Sequence, residues 1–485
     1  MDYTPPYPPR HPQGLSTLAL LRKGRENLLS VWAAGDFETN IITAKILRQP
    51  IVIANSPDLV RQAFVTANAS FEQKSHLMQR ALKPLIGDGL FISHGEIWRT
   101  RRRIVGSVIH GSRVPGFTPL MIEAMVELRD QWVQQLREAR EGPVMVDMLS
   151  EMAKLTADVI SRAIFGRQLG KDNAHNIAEG FSEYQKNIGA FDLLPLLGVP
   201  DALTYFFSSG IRRSAKKITT VLDELVNGHF EQRSGQETSV LGILSHDTPD
   251  GKTLDRQAIR NEAAVIFMAG HETTANCLAW AWFLLSQAPR CQHLLHEEID
   301  RVLGQRTPTF ADVHHLDYTR AIIEETLRLY PPIPILSRQA VQEEYLGAHR
   351  VPQGAIVAVI PWLLHRHKLY WDKPDHFIPE RFLRESPPPD KYSYIPFSIG
   401  PRVCAGMSFG LTEAILGLAV LSQGLRFELE PTATIQAKSH LSLRPDDGHG
   451  RLPMRLCQRA CKQREPHYSE DLLNGAPSLL HEFNS

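Results

Sequence analysis

The chain has 485 residues, 43% of them hydrophobic, and 53 basic side chains balance 53 acidic ones to a formal net charge of zero. So long a chain, with no Gly/Ser-rich or charge-rich linker, points to one large catalytic unit. Charge neutrality excludes a global field that would gather nucleic acid or an anionic membrane, so any basic surface must be local.

The N-terminus has no charged segment followed by an apolar core and a small-residue cleavage site, which argues against secretion. Pro5, Pro6, Pro8, Pro9 and Pro12 predict an extended, solvated arm over residues 1–14, with the catalytic domain over 15–460 and a loose tail over 461–485. The five cysteines, Cys277, Cys291, Cys404, Cys457 and Cys461, are too scattered for a disulfide framework and fit a reducing cytoplasm.

Ile51 to Ala54 reads as a strand, and Ser56-Pro57-Asp58 after it as a helix start. Met121 to Gln135, Val144 to Phe165 and Ile211 to Phe230 carry helical spacing. Leu254 to Ala288 is a continuous helical pattern closed by Pro289, about 50 Å long at the usual rise. Its apolar stretch, Ala263 to Leu285, is broken by Gly270-His271-Glu272-Thr273-Thr274 and Asn276, which suits a central helix passing a buried site better than a membrane span. Tyr318 to Tyr330 is a further helix, stopped by Pro331-Pro332, and Ala355 to Ile360 a buried strand. Beyond Trp362 the chain is loop-rich until Cys404, where an apolar helix through Leu411 to Leu421 follows.

Chemistry concentrates in Phe397-Ser398-Ile399-Gly400-Pro401-Arg402-Val403-Cys404-Ala405-Gly406. Cys404 lies at a helix N-terminus, where free N–H groups and the macrodipole favour a thiolate. Gly400 and Gly406 permit tight turns and close approach to a flat cofactor, and Arg402 can pair with a carboxylate. A lone cysteine is ordinarily a buried structural thiol. With these neighbours at this spacing, the loop resembles the haem-binding signature of the cytochrome P-450 family.

The resemblance implies partner motifs, and they occur in the family's order. Glu325 and Arg328 share a helix face, and with Arg381 of Pro379-Glu380-Arg381-Phe382 they resemble the family's structural network behind the cysteine loop. Ala269-Gly270 leave room beside the long helix for a diatomic ligand, and Thr273 can bond back to the carbonyl of Ala269, opening a groove. The resemblance makes Glu272 and Thr273 the acid-threonine pair that passes protons to dioxygen. Trp98 and Arg102, one turn apart, resemble the family's propionate-binding pair, and Arg338 another propionate ligand. Arg99 and Arg103 fall on a neighbouring stripe, either a solvated face or part of a docking surface.

The resemblance implies a mainly α fold with a small β-rich subdomain and one haem b, held by Cys404 with Phe397, Arg402 and Gly406 around it. The implied reaction is RH plus O₂, two electrons and two protons giving ROH and water. With no reductase domain fused to the chain, the electrons would come from a ferredoxin or flavodoxin with its reductase. Neither a nucleic acid nor an integral membrane anchor is expected, and the place is the cytoplasm. Phe91, Ile266, Phe267, Ala269, Ile333, Ile335 and Leu441, with Leu77, Met78 and Leu336, suggest a pocket for a terpenoid, steroid or fatty acyl compound, or else plain core. A peroxide-using or isomerising enzyme of the same kind, or a haem-based sensor, is the alternative, and the acid-threonine pair counts against it.

Overall fold

The computed structural model describes residues 3–46, 48–139, 143–166, 209–231, 239–245 and 254–459, together with residues 180, 183, 184 and 187. Eight helices position the site: α1 (His76–Ile86), α2 (Gly95–Val108), α3 (Val114–Glu138), α4 (Met148–Phe165), α5 (Ser209–Glu231), α6 (Arg256–Gln287), α7 (Asp317–Leu329) and α8 (Met407–Leu421). The strands are short. Those used below are β1 (Ile41–Ile46), β2 (Gln49–Ala54), β3 (Val144–Asp147), β4 (Leu336–Gln339), β5 (Ile356–Val359), β6 (Leu425–Leu429), β7 (Gln436–Ser439), β8 (Leu443–Asp446) and β9 (Pro453–Gln458).

Helix α6 is the axis of the fold. Asp255 caps it by accepting from the Ala258 N–H at 2.7 Å, and Pro289 begins the next helix just beyond its end. Its 32 residues reach about 48 Å, and most are buried, as a helix apolar nearly all round must be. Helices α4 and α8 pack along it, so the chain after the cysteine loop lies beside the helix bearing Glu272 and Thr273. Aromatic rings close the far end: Trp280 stacks on Tyr330 with centroids 3.7 Å apart, and Trp282 lies 4.5 Å from Phe427 of β6. No described helix is long and apolar enough to cross a membrane.

A separate apolar cluster, including Val52, Ala54, Phe64, Val357 and Val359, underlies the sheet ordered β1-β2-β5-β4. Only β2 and β5 run parallel, and β5, buried along its whole length, is the continuous apolar run expected of an inner strand. This sheet carries Arg338 on β4. Strands β7 and β8 form a hairpin beside α6.

Two expectations need correction. Val144–Asp147 is not helical but pairs as β3 with Pro453–Leu456 of β9; its alternating Val-Met-Val-Asp side chains suit an edge of the β3-β9-β6 sheet. The described part of the proline-rich arm is not a solvated end. Tyr3 bridges to Phe377, the Tyr330 hydroxyl donates to the Pro6 carbonyl at 2.7 Å, and Arg10 lies 3.8 Å over the Phe37 ring while pairing with Asp375 at 2.5 Å. The prolines lower the entropy cost of laying this segment down. The tail predicted for 461–485, and Cys461 with it, lies outside the described residues.

Candidate functional site

The cysteine loop is built around a strained approach. At Gly400 φ is +75°, and a Cβ there would stand 2.0 Å from the backbone oxygen of Phe64, so only glycine fits. Ser398 also takes a positive φ, and the Cys404 N–H donates to the Phe397 carbonyl at 2.9 Å, fastening the two ends of the loop. Gly406 does not share the requirement. It is the N-cap of α8 at φ −92°, and a Cβ would meet only Ile109 at 4.0 Å, so the expected tight turn belongs to Gly400 alone.

Cys404 is exposed, two residues ahead of the Gly406 N-cap of α8. Burial pushes its thiol up, while the Gly406 N–H and the charge of Arg102 pull it down. Among the described residues no group of three or more His, Cys, Asp or Glu could hold a bare metal ion, so a metal at Cys404 needs a carrier that fills its other positions.

Three cations converge nearby. Arg338 is 2% exposed on β4, with its guanidinium 4.8 Å over the Phe64 ring and Nη1 without a partner. Lys74, which sequence reasoning missed, is buried with its ammonium 4.6 Å over Phe91. Arg402 lies 4.5 Å over the Trp98 ring and donates to the Ser93 carbonyl at 2.6 Å, leaving Nε unpartnered. Burial is the main cause that pushes all three down, Lys74 well below its ordinary value with Arg338 and Arg402 repelling it, Arg338 to about 9 with Arg402 repelling it, and Arg402 to about 10 with Arg102 repelling it. No described carboxylate bonds to any of the three; Glu72, whose charge acts on Arg402, is paired with Arg99 at 3.5 Å. Buried cations without counter-ions are costly, and the arrangement fits a ligand bringing carboxylates. Arg102 stands half-buried beside the cysteine, on the same helix as Trp98.

On α6 the back-bond holds: the Thr273 hydroxyl donates to the Ala269 carbonyl at 2.7 Å. Ala269 is exposed within a largely buried helix, with Gly270, Glu272 and Thr273 half-buried beside it, so this face of the helix borders open space. Glu272 is held from outside the helix, accepting from the Ser442 hydroxyl at 2.6 Å, and burial raises its carboxyl pKa. Gly270 departs from its expected role. A Cβ there would fall 2.8 Å from Ile160 Cδ1, so its smallness lets α4 close on α6 instead of making room for a ligand. From α4, Thr156 donates to the His271 carbonyl at 2.8 Å.

Phe267 is also corrected. It is fully buried and stacks on His271, on the α4-facing side roughly 160° around the helix from Ala269. Ile266 is buried but shares the Ala269 side of α6. Phe91, Ile333, Ile335, Leu441, Leu77, Met78 and Leu336 are all half-buried, as candidate cavity walls should be.

Glu325, Arg328 and Arg381 come together. Arg328 forks onto Glu325 with two bonds of 2.7 Å, both side chains fully buried, and Arg381 Nε stands 3.5 Å from the same carboxylate. Arg328 also donates to the carbonyls of His365, Pro374 and His376, while the Ile378 N–H donates to Glu325 at 2.9 Å. The trio thereby ties α7 to the irregular chain ahead of Cys404. Arg101, one of the arginine run, is buried and paired with Glu262 of α6 at 2.7 Å; a run of like residues hid this inward member.

Comparison with known proteins settles the family. The family model described as cytochrome P450 matches residues 5–449. The chain belongs to the cytochrome P450 family. It is 31% identical over 436 residues to a Streptomyces melanosporofaciens protein named cyclooctatin synthase, covering 88% of this chain and 90% of that one. A chloroplastic carotene epsilon-monooxygenase of Arabidopsis thaliana is 30% identical, with 77% of this chain and 72% of that one covered. The crystal structure of the cytochrome P450DA heme domain superposes with a TM-score of 0.76 at 25% identity, over 95% of this chain and 99% of that one. The protein is therefore a cytochrome P450 monooxygenase, of a family built on haem iron, and its mainly α fold with small sheets is the family's fold.

Proposed function

We propose that this P450 binds haem b through Cys404 and hydroxylates an apolar small molecule of the terpenoid, steroid or fatty acyl class. The observation that carries the cofactor assignment is the cluster of Lys74, Arg338 and Arg402, three buried or part-buried cations to which no described carboxylate bonds, near the cysteine loop. Two propionates would supply the missing charge, with Trp98 and Arg102 completing their surround. Phe397 and Gly406 would border the macrocycle on the cysteine side. The haem iron, when bound, supplies dioxygen activation and the two-electron oxidation.

The chain's own residues do the rest. Ala269 leaves space on the α6 face, and Thr273, bonded back to the Ala269 carbonyl, presents a hydroxyl beside it. Glu272, whose burial makes it hold a proton more readily than an exposed glutamate, is the acid that resupplies Thr273. Phe91, Ile266, Ile333, Ile335 and Leu441 exclude water and seat the apolar substrate. Of the three substrate classes the terpenoid has added support, since one relative is named for carotene, an isoprenoid hydrocarbon.

Electrons come from a ferredoxin or flavodoxin with its reductase, in the cytoplasm, docking near Cys404. Exposed Arg99 and Arg103 on α2, together with exposed Ile97 and Met407, support that face; Arg99 is engaged by Glu72 and Glu96, each at 3.5 Å. The deciding experiment is the carbon monoxide difference spectrum of the reduced protein. The red-shifted Soret band of thiolate-bound iron is expected, lost in Cys404→Ser; a variant that keeps the band refutes the assignment.

A further inference from the structure

We propose that Ser442 is the positioning residue for Glu272, and that the tight turn carrying it links filling of the apolar pocket to the orientation of that acid. The inference rests on the reading of Glu272 as the proton-holding acid, and deepens it.

Ser442 is 1% exposed, in the turn between β7 and β8. Asn276, one helical turn beyond Glu272 on α6, donates to the Ser442 oxygen at 3.1 Å. A hydroxyl has one proton, and with Asn276 occupying an acceptor site that proton is directed at Glu272, which lies 2.6 Å away. The grip therefore has a fixed sense: Ser442 donates, Glu272 accepts. The groups that face the Glu272 carboxyl are Ser442, Asn276 and the positive charge of Arg444, two residues further along the same hairpin, and all three favour its ionised form against burial.

In this arrangement the acid and the threonine are both committed elsewhere. Glu272 is turned to Ser442, and the Thr273 hydroxyl is spent on the Ala269 carbonyl. Passing a proton between them requires Glu272 to leave Ser442. What could release it sits next door. The turn is only His440, Leu441 and Ser442, closed by the His440 N–H donating to the Ser442 carbonyl at 3.3 Å, with Ser439 paired to Leu443 across the hairpin. Leu441, a candidate pocket wall, is half-buried at its apex. The Leu443 N–H donates to the Pro332 carbonyl at 2.9 Å, tying the hairpin to the segment that carries Ile333 and Ile335.

Three residues closed this tightly cannot shift one at a time, so a molecule pressing on Leu441 displaces Ser442 with it. Losing that donor removes a bond that stabilises the carboxylate, and the freed carboxyl takes up a proton from solvent as it turns toward Thr273. Substrate occupancy thereby arms the relay, and an empty pocket leaves the acid clamped.

The test is infrared titration of the Glu272 carboxyl in the haem-loaded protein, with Glu272→Gln identifying the band. Ser442→Ala is expected to move the titration to higher pH, and Ser442→Thr, which keeps the hydroxyl, to restore it. Leu441→Trp, which fills the pocket without any substrate, is expected to shift the titration in the same direction as Ser442→Ala. Should Ser442→Ala not fold, Ser442→Cys, a weaker donor of similar size, must give the upward shift. An unmoved titration in the serine variants overturns the positioning role; a shift there with none in Leu441→Trp overturns the link to the pocket. The infrared result depends only on the contact, whereas the proton-delivery reading stands or falls separately on the coupling of Thr273→Ala.

Discussion

Arg338 offers a test in which the haem-free protein should gain stability while its affinity for haem falls. Burial, then Arg402, lower its pKa from the ordinary 12.5 to about 9. At 1.36 kcal/mol per tenfold, the folded protein without its cofactor holds roughly 5 kcal/mol against the charged form. The folded value lies below the unfolded one, so for this cation the effect destabilises. It is complete at pH below about 9, fades as pH rises toward 12.5, and acts in full at neutrality. Replacing Arg338 with Met keeps most of the volume and removes the charge. The cation–π contact with Phe64 goes too, worth about 2 kcal/mol when desolvated. The net expectation is a haem-free protein more stable by roughly 1–3 kcal/mol. Haem affinity should fall about 10- to 100-fold, the loss of one hydrogen bond to a charged group. Denaturant melts of both forms at pH 7, with haem transfer to an acceptor protein, provide the measurement. If Arg338→Met destabilises the haem-free form as much as the loaded one, Arg338 is a packing residue and the three cations are not an anion site.

Replacing Thr273 with Ala should leave haem binding intact but divert reducing equivalents to hydrogen peroxide, with product formation slowed about 10²- to 10⁴-fold; full coupling in oxygen-consumption and product assays would remove Thr273 from the relay. Glu325→Gln leaves Arg328 fully buried without its carboxylate and should cost about 3–5 kcal/mol, read as a fall in the denaturation midpoint and in the yield of haem-loaded protein. A loss under 1 kcal/mol would mean that the backbone carbonyls alone satisfy Arg328.

Much of the fold was legible because its strongest signals are local. The helix predicted over Leu254 to Ala288 is α6, Arg256–Gln287, since an aspartate cap and a following proline delimit it whatever packs around it. The strand at Ile51 to Ala54 and the helix ending at Pro331 were legible for the same reason. Val144–Asp147 was not, because four residues of alternating side chains acquire a strand's identity only from β9, some three hundred residues later. The proline-rich arm failed in the same way. Nothing between Met1 and Gly14 announces that Arg10 will find Asp375 and Phe37.

The site divides along the same line. Glu325 with Arg328, and Thr273 with Ala269, sit three or four residues apart, so helix geometry alone brings them together. Lys74 is a lysine before a helix like any other until β4 delivers Arg338 and the cysteine loop delivers Arg402; its meaning exists only in the assembled cluster. Gly270 shows how a correct motif can carry an incorrect reason. A glycine beside a dioxygen site invites explanation by the ligand, yet its Cβ position points at Ile160 on the opposite helix. Phe267 was avoidable, since its angular position from Ala269 can be counted from the sequence and places it on the far face of α6. Close packing on that far face is also what fixes the near one. With α4 locked against Gly270 and Thr156 bonded to the His271 carbonyl, α6 cannot rotate to reorient Glu272. Any movement in the proton relay must then come from side chains and from the hairpin that grips them.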